Sequence, residues 1–570
     1  MNYKSPKVKA WGIVGLAIAS IIFILITTLS LTSERSITGH YEDFFVSKEE
    51  YKEIKKDRTE AKLISTPKIT FDEQAPYIDE DNTLYYSLIE GSDSAHNPKI
   101  SLKVADYNYH LAIKETPLSD DNIRHNTEFK FLIYNKDSYQ VLTMHATTLP
   151  ILSIEYDEES AAEKSAAKNP DSLKESGSDL IREVDTEISL SLFDNRKDIK
   201  NRTIESKGVF HPRGAISYNH PKQSYKLSLR TEEGGSEHND LSLLGLREDD
   251  DYVLNGAYFD PEKIRTTFNM NLWTEASGKQ NSLGITNGVE YRYVEVFENK
   301  QYWGLYQLGF PVDEKQLNLA KSDDGIYSEP LFKKVDWDIH RTNDSTAIPN
   351  DWELKNTTYN YVDSWNELIS YESLLKNPKD HAQEIREKTD MSTAIDLALF
   401  INFTQNYDIS PVNNELKNLY LSFKSSNGDH LAVFTPWDVD LSFGHYTLSQ
   451  NLDETTYAYE ANYNLDETLT PAHALQRAGD KTINQELIAR YHELRNTYWS
   501  EKHIDELLDK YQDQIYNSGA FRRDLVRWPN GRHNDEEERL DFFRNYVHER
   551  LFYMDQYILD LENGKYDYAE

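Results

Sequence analysis

The run Thr435-Pro436-Trp437-Asp438-Val439-Asp440-Leu441-Ser442-Phe443-Gly444 places two carboxylates two residues apart, directly after the apolar stretch Leu431 to Phe434. At the end of a buried strand such a pair suits Mg2+, a hard cation that takes carboxylate oxygens and bridges substrate phosphates. A turn cap uses the same residues, and the similar Asp336-Trp337-Asp338 shows that Trp-Asp pairs recur in this chain. Upstream lie Asn406-Tyr407-Asp408 and then Asn413, Asn414 and Asn418, between a helical run from Ile395 to Phe403 and the strand-like Leu419 to Phe423. Helix, polar loop, strand and aspartates is an order that suits phosphoryl transfer. In that chemistry one Asp accepts the proton of the substrate hydroxyl, an Asn carboxamide helps to hold metal, and a later Asp holds metal on the phosphates. Asn-rich loops also serve simply as turns.

Phosphate chemistry needs a basic platform as well. Arg213-Gly214-Ala215-Ile216-Ser217 is followed by Pro221-Lys222-Gln223-Ser224-Tyr225-Lys226-Leu227-Ser228-Leu229-Arg230. Alternate residues of a strand share a face, so Tyr225, Leu227 and Leu229 point to a core while Lys222, Ser224, Lys226 and Arg230 point away. A rigidly held Lys can neutralise polyphosphate oxygens as a point charge. From charge alone, a solvated edge strand is the simpler reading. The sequence holds no Gly-x-Gly-x-x-Gly, Walker A loop, His-Arg-Asp loop, Gly-x-Ser-x-Gly elbow or His-Glu-x-x-His, so ordinary kinases, P-loop enzymes, serine hydrolases and zincins lose support.

The elements that must position these residues follow from periodicity. Strands dominate from Ile188 to Val312 and helices from Tyr361 onward, with Val362, Trp365, Leu368, Ile369 and Leu375 at helical spacing. A strand-rich half followed by a helix-rich half predicts an α+β domain over residues 184–570. Before it, short alternating runs between residues 68 and 156 predict a small all-β domain, and the Asp, Glu, Ser, Ala and Lys composition of 157–183 predicts a flexible acidic linker. Residues 32–67 read as a charged stalk. The pentapeptide Asn-Leu-Asp-Glu-Thr at 451–455 and 464–468 reads as surface loop.

From Trp11 to Leu31 the chain carries no charge, long enough to cross about 30 Å of hydrocarbon as a helix. Lys4, Lys7 and Lys9 precede it, which predicts a cytoplasmic tail at 1–10 and a single transmembrane helix at 11–31. The main domain is then expected outside a cell membrane. A cleaved signal peptide is the competing reading, although no Ala-x-Ala site follows. The absence of cysteine excludes disulfides, thiolate metal sites and iron-sulfur clusters. A net charge of -35 argues against nucleic acid as a partner, and makes any nucleotide site a local basic exception.

Taken in order, several blocks resemble the CotH family of atypical, spore-coat-type protein kinases. They are Leu149 to Ile154, Arg213 to Tyr225, Asp260 with Arg265, Tyr302-Trp303-Gly304-Leu305-Tyr306, Asn406 to Asn418, Trp437 to Asp440 with Gly444, and Arg527-Trp528-Pro529. The resemblance implies an atypical kinase fold in a bacterial protein, with Mg2+ (or Mn2+) and ATP used to phosphorylate Ser or Thr of an acceptor protein in the cell envelope. Carried over, it makes Asp408 the acid/base and Lys222 the phosphate-contacting lysine. Asn418, Asp438 and Asp440 become metal ligands, and Arg213, Lys226, Arg265 and Trp437 further nucleotide-site residues, although core packing is the better reading of Trp437. Two departures stand out. Phe310 falls where many relatives carry Glu, and Ala215 and Ile216 replace a small polar pair. They leave open a catalytically inactive CotH-like surface interaction or adhesion protein, and an Asp-x-Asp site with a divalent metal also serves sugar-nucleotide chemistry.

Overall fold

The computed structural model describes residues 35–564, except 92–95, 105–107, 160–183, 215–216, 218–219, 323, 337–348, 350, 359, 407, 410–415, 446–469 and 530–535. The chain divides into two compact units, with the boundary between Thr148 and Leu149.

In the first unit, Arg35–His40, Lys99–Val104 and Lys68–Phe71 form an antiparallel three-stranded sheet. A larger mixed sheet is built around His110–Lys114, Phe129–Tyr134 and Ser138–Thr147. Tyr41, Phe71, Phe129, Phe131 and Met144 fill its core. The unit is not all-β. Residues Lys48–Lys56, within the stretch read as a stalk, form a helix because Ser47 and Glu50 cap it reciprocally: the Glu50 N–H donates to Ser47 Oγ and the Ser47 N–H to Glu50 Oε2. Asp120–Arg124 is a second, short helix.

The second unit opens with a closed barrel, whose strands are numbered β1 (Ile151–Glu155), β2 (Thr186–Phe193), β3 (Thr203–Arg213), β4 (Ser224–Arg230), β5 (Asp251–Asn255), β6 (Tyr291–Glu298) and β7 (Gln301–Gly309). The order around it is β1-β2-β3-β4-β5-β7-β6, antiparallel except where β6 closes on β1 in parallel. Strand β4 alternates as expected, with Tyr225, Leu227 and Leu229 buried. It is not an edge strand: β3 and β5 pair with its two sides, and closure of the barrel removes the edge altogether.

Between β5 and β6 the chain forms helix α1 (Arg265–Trp273), buried on every side. The helix-rich half contains its own four-stranded sheet, β9-β8-β10-β11, made of β8 (Leu331–Lys334), β9 (Trp352–Leu354), β10 (Leu419–Ser426) and β11 (Asp429–Pro436). Around it lie α2 (Tyr361–Lys376), α3 (Ala382–Glu387), α4 (Met391–Thr404), α5 (Pro471–Arg477), α6 (Ile483–Asn496), α7 (Glu501–Gln512), α8 (Ala520–Arg527) and α9 (Glu536–Glu562). One hydrophobic cluster runs without a break from Leu152 and Leu227 in the barrel through Phe400 and Val433 to Val547 in α9.

Two expectations are corrected. The fold is mixed α/β, with a closed barrel and a second sheet in place of a simple succession of strands and helices. Among the described residues, no helix is long and apolar enough to cross a membrane, so the single-pass membrane protein expected from the sequence is not supported. The span read at 11–31 itself lies outside the described residues.

Candidate functional site

Strand β11 carries the chain out of the buried sheet, and the backbone then turns through Asp438, whose φ of 56° is left-handed. Asx residues reach that region at lower cost than most, which suits an aspartate at this corner. Val439 is fully buried between the two aspartates. Helix α1 clamps the loop from beneath. The Asn269 Nδ2 donates to Val439 O at 2.7 Å and to Ser442 Oγ at 2.7 Å, and the Arg265 Nε donates to Ser442 O at 3.0 Å. Arg265 is itself held by Asp260, at 2.7 Å, and by Glu262. Gly444 closes the loop with φ 75°, and a side chain there would strike the Tyr546 ring.

Helix α4 delivers the polar loop. Asp390 caps its start by accepting from the Thr393 N–H, and Gln405 ends it in the left-handed region. The buried guanidinium of Arg550 donates to the carbonyls of Asn402 and Phe403, satisfying the helix C-terminus with positive charge. Beyond it, the Asn418 Nδ2 donates to Asp408 Oδ2 at 3.1 Å, and the Trp437 N–H donates to Asn418 O at 2.9 Å. The loop and the aspartate corner are thereby tied to each other.

Negative charge is concentrated here. Burial, followed by the field of Asp438, pushes the Asp408 carboxyl up to about 6, with Lys417 and the Asn418 hydrogen bond pulling the other way. Asp440 is raised well above the usual carboxylate range by burial and then by Asp438, Asp408 and Asp260. Among the described residues, neither Asp438 nor Asp440 has an ion pair. Crowded carboxylates that no ion pair engages are a fitting donor set for a divalent metal, and Asn418 adds a carboxamide. Among the described residues, the three carboxylates whose oxygens already lie within 4.8 Å of one another are elsewhere, at Asp240, Asp249 and Asp250. Lys315 and Arg247 neutralise that group.

Across from Asp438, the Arg213 guanidinium lies 5.2 Å from the Trp437 ring, and Tyr420 meets the same ring edge-on at 6.0 Å. Trp437 is 5 % exposed, so it is packed rather than open for stacking.

Lys222 and Lys226 are each engaged by a carboxylate other than Asp408, Asp438 and Asp440, and Arg265 supports the aspartate loop through Ser442 while pairing with Asp260 and Glu262. Lys222 is fully buried and donates at 2.6 Å to both Leu305 O and Asp524 Oδ1. Asp524, on α8, also accepts from the Leu305 N–H at 3.0 Å. Gly304 is required because a Cβ there would collide with the Asp524 carboxylate. The Trp528 indole donates to Trp303 O and the Arg527 guanidinium to Tyr302 O, so the Tyr-Trp-Gly and Arg-Trp-Pro blocks are two sides of one seam between β7 and α8. Lys226 pairs with Asp251 on the outside of the barrel. Phe310 follows the end of β7, and the Arg247 guanidinium lies over its ring at 4.6 Å. Ala215, Ile216, Asn413 and Asn414 lie outside the described residues.

Sequence reasoning missed Asp524 and Lys333. Asp524 had no visible link to Lys222 because 302 residues separate them. Lys333, on β8, is brought towards Arg213 and Asp438 only by the fold of the sheet.

Compared with known families, residues 210–554 match the model of the CotH kinase protein family. No curated protein matches the chain.

Proposed function

Because the chain belongs to the CotH kinase protein family, and with it shares the general requirement for ATP and a divalent metal, we propose that it transfers the γ-phosphate of ATP to a Ser or Thr hydroxyl of an acceptor protein. The observation that carries this reading is the crowding of Asp408, Asp438 and Asp440, which repel one another at the joint of α4, β10 and β11.

Asp438 and Asp440 would hold the metal ion, Mg2+ or Mn2+, with the Asn418 carboxamide oxygen as a further donor. When bound, the ion supplies neutralisation of phosphate charge. Asp408 takes the proton of the acceptor hydroxyl. Its carboxyl, at about 6, is ionised at neutral pH yet basic enough to accept a proton, the condition that favours general-base catalysis. Asn418 orients it through the 3.1 Å hydrogen bond. Most of the remaining work is positioning, which the clamp of Arg265 and Asn269 provides from outside the site.

The Phe310 departure does not by itself favour an inactive protein, since the carboxylate that fixes Lys222 is Asp524. The test is thermal stabilisation of the full chain by ATP with and without Mg2+ or Mn2+, together with phosphate incorporation into a mixture of protein acceptors. A ligand that binds only the folded state at 100 times its Kd stabilises by about 2.7 kcal/mol. A metal-dependent shift, with incorporation abolished in Asp438→Asn and Asp440→Asn, is the expected outcome. No shift with any nucleotide would leave an interaction module in place of an enzyme.

A further inference from the structure

In a chain with a net charge of -35, buried and half-buried cations find carboxylates readily. Lys222 is paired with Asp524, Lys334 with Asp351, Arg265 with Asp260 and Arg523 with Glu295. Two cations beside the aspartate corner depart from this. Among the described residues, the side chains of Arg213 and Lys333 have neither an ion pair nor a hydrogen bond, and Arg213 has only its contact with the Trp437 face.

Their placement is defined by strand register. Lys333 on β8 is directly opposite Tyr420 on β10, and Tyr420 is opposite Thr435 on β11, so the three side chains share one face of the sheet. Tyr420 leads across that face to Trp437, and Arg213 lies over Trp437 from the end of β3. On the other side Lys333 is opposite Glu353, but that carboxylate is engaged by Lys355 at 3.3 Å. Burial and the repulsion of Arg213 pull the Lys333 ammonium down to about 8, against the attraction of Asp438. Two like charges held close in partial burial cost stability unless an anion joins them.

We propose that Lys333 and Arg213 together receive the polyphosphate of the nucleotide, in the place that the sequence assigns to Lys222. The inference rests on the phosphotransferase reading of the site. It puts fixed positive charge on one side of the phosphates and the metal-holding Asp438 on the other, which divides the neutralisation of a triphosphate between protein and ion. Lys222 then serves the seam between β7 and α8: to reach a phosphate it would have to leave Asp524 and the Leu305 carbonyl exposed to a dry interior.

The probes are ATP and adenosine, each titrated with Mg2+ against the full chain and against Lys333→Gln, with Lys333→Met and Lys333→Arg as further variants. ATP affinity is expected to fall at least tenfold in Lys333→Gln and Lys333→Met and by less in Lys333→Arg, while adenosine binds all four proteins alike. Ligand-free melting temperatures of Lys333→Gln and Lys333→Met are expected to hold or rise, because a repulsion is removed. ATP binding within twofold of the wild type in the uncharged variants overturns this assignment and leaves the phosphotransferase reading standing. An equal loss for ATP and adenosine also overturns it, by showing a general disturbance of the site. A wild-type chain that binds neither probe overturns both.

Discussion

Asn418 spends its amide on Asp408, and that one hydrogen bond decides how the carboxamide oxygen and the carboxylate divide their work. The raised carboxyls of Asp408 and Asp440 have a consequence for the metal-free protein. A carboxyl whose folded pKa lies above its unfolded value contributes stability below the unfolded pKa, near 3.9, and loses it as pH rises through the folded value, about 6 for Asp408. Melting followed from pH 7 down to pH 5 without metal is therefore expected to show a stabilising contribution that Asp440→Asn reduces. Divalent metal should reverse the trend, since it competes with protons for the Asp440 oxygens, and its stabilising effect should weaken as the pH falls. Stabilisation by metal that is equal at pH 5 and pH 7 would contradict the assignment of these ligands. A second residue-scale test concerns Lys222. Lys222→Met leaves a buried Asp524 charge without its partner, at a cost of about 3–5 kcal/mol in urea unfolding. Lys222→Met/Asp524→Asn is expected to recover part of that loss, because Asn still accepts from the Leu305 N–H, and to retain ATP binding.

At the scale of elements, the site depends on α1 gripping a loop that it does not share in sequence. Asn269 and Arg265 reach Val439 and Ser442 across more than 160 residues. Asn269→Ala removes two hydrogen bonds from a buried loop, so a loss of about 1–3 kcal/mol is expected. The sharper readout is a weaker metal dependence of ATP binding in a variant that touches neither ligand, measured by titrating Mg2+ at fixed ATP. An unchanged metal titration would mean that the loop keeps its shape without the clamp. Here the reach of the sequence can be judged. The placement of Asp438 and Asp440 just after β11, and of Asp408 and Asn418 between α4 and β10, was legible from local spacing. The alternation of β4 was legible too, but its two-sided pairing was not, since closure of a barrel is a property of all seven strands together. The neighbours of Lys222 and Lys333 were invisible for the same reason. One is set by a carboxylate on α8 and the other by a register three strands wide.

For the whole molecule, each of the two units has its own hydrophobic core. One is built around Tyr41, Phe71, Phe129 and Phe131, the other around the barrel and the helices that follow it. All of the residues assigned to metal, nucleotide and acceptor hydroxyl belong to the second. A core of its own gives each unit the means to unfold as a cooperative step. Ligand linkage acts only on the transition of the unit that holds the ligand, because stabilisation requires binding to the folded form and none to the unfolded. Calorimetry of the full chain is therefore expected to resolve two transitions, with ATP and Mg2+ raising one and leaving the other in place. Asp440→Asn should cancel the shift without altering the unaffected transition. A single transition that moves as a whole would show that the units unfold together, and the energy of nucleotide binding would then be shared by both cores.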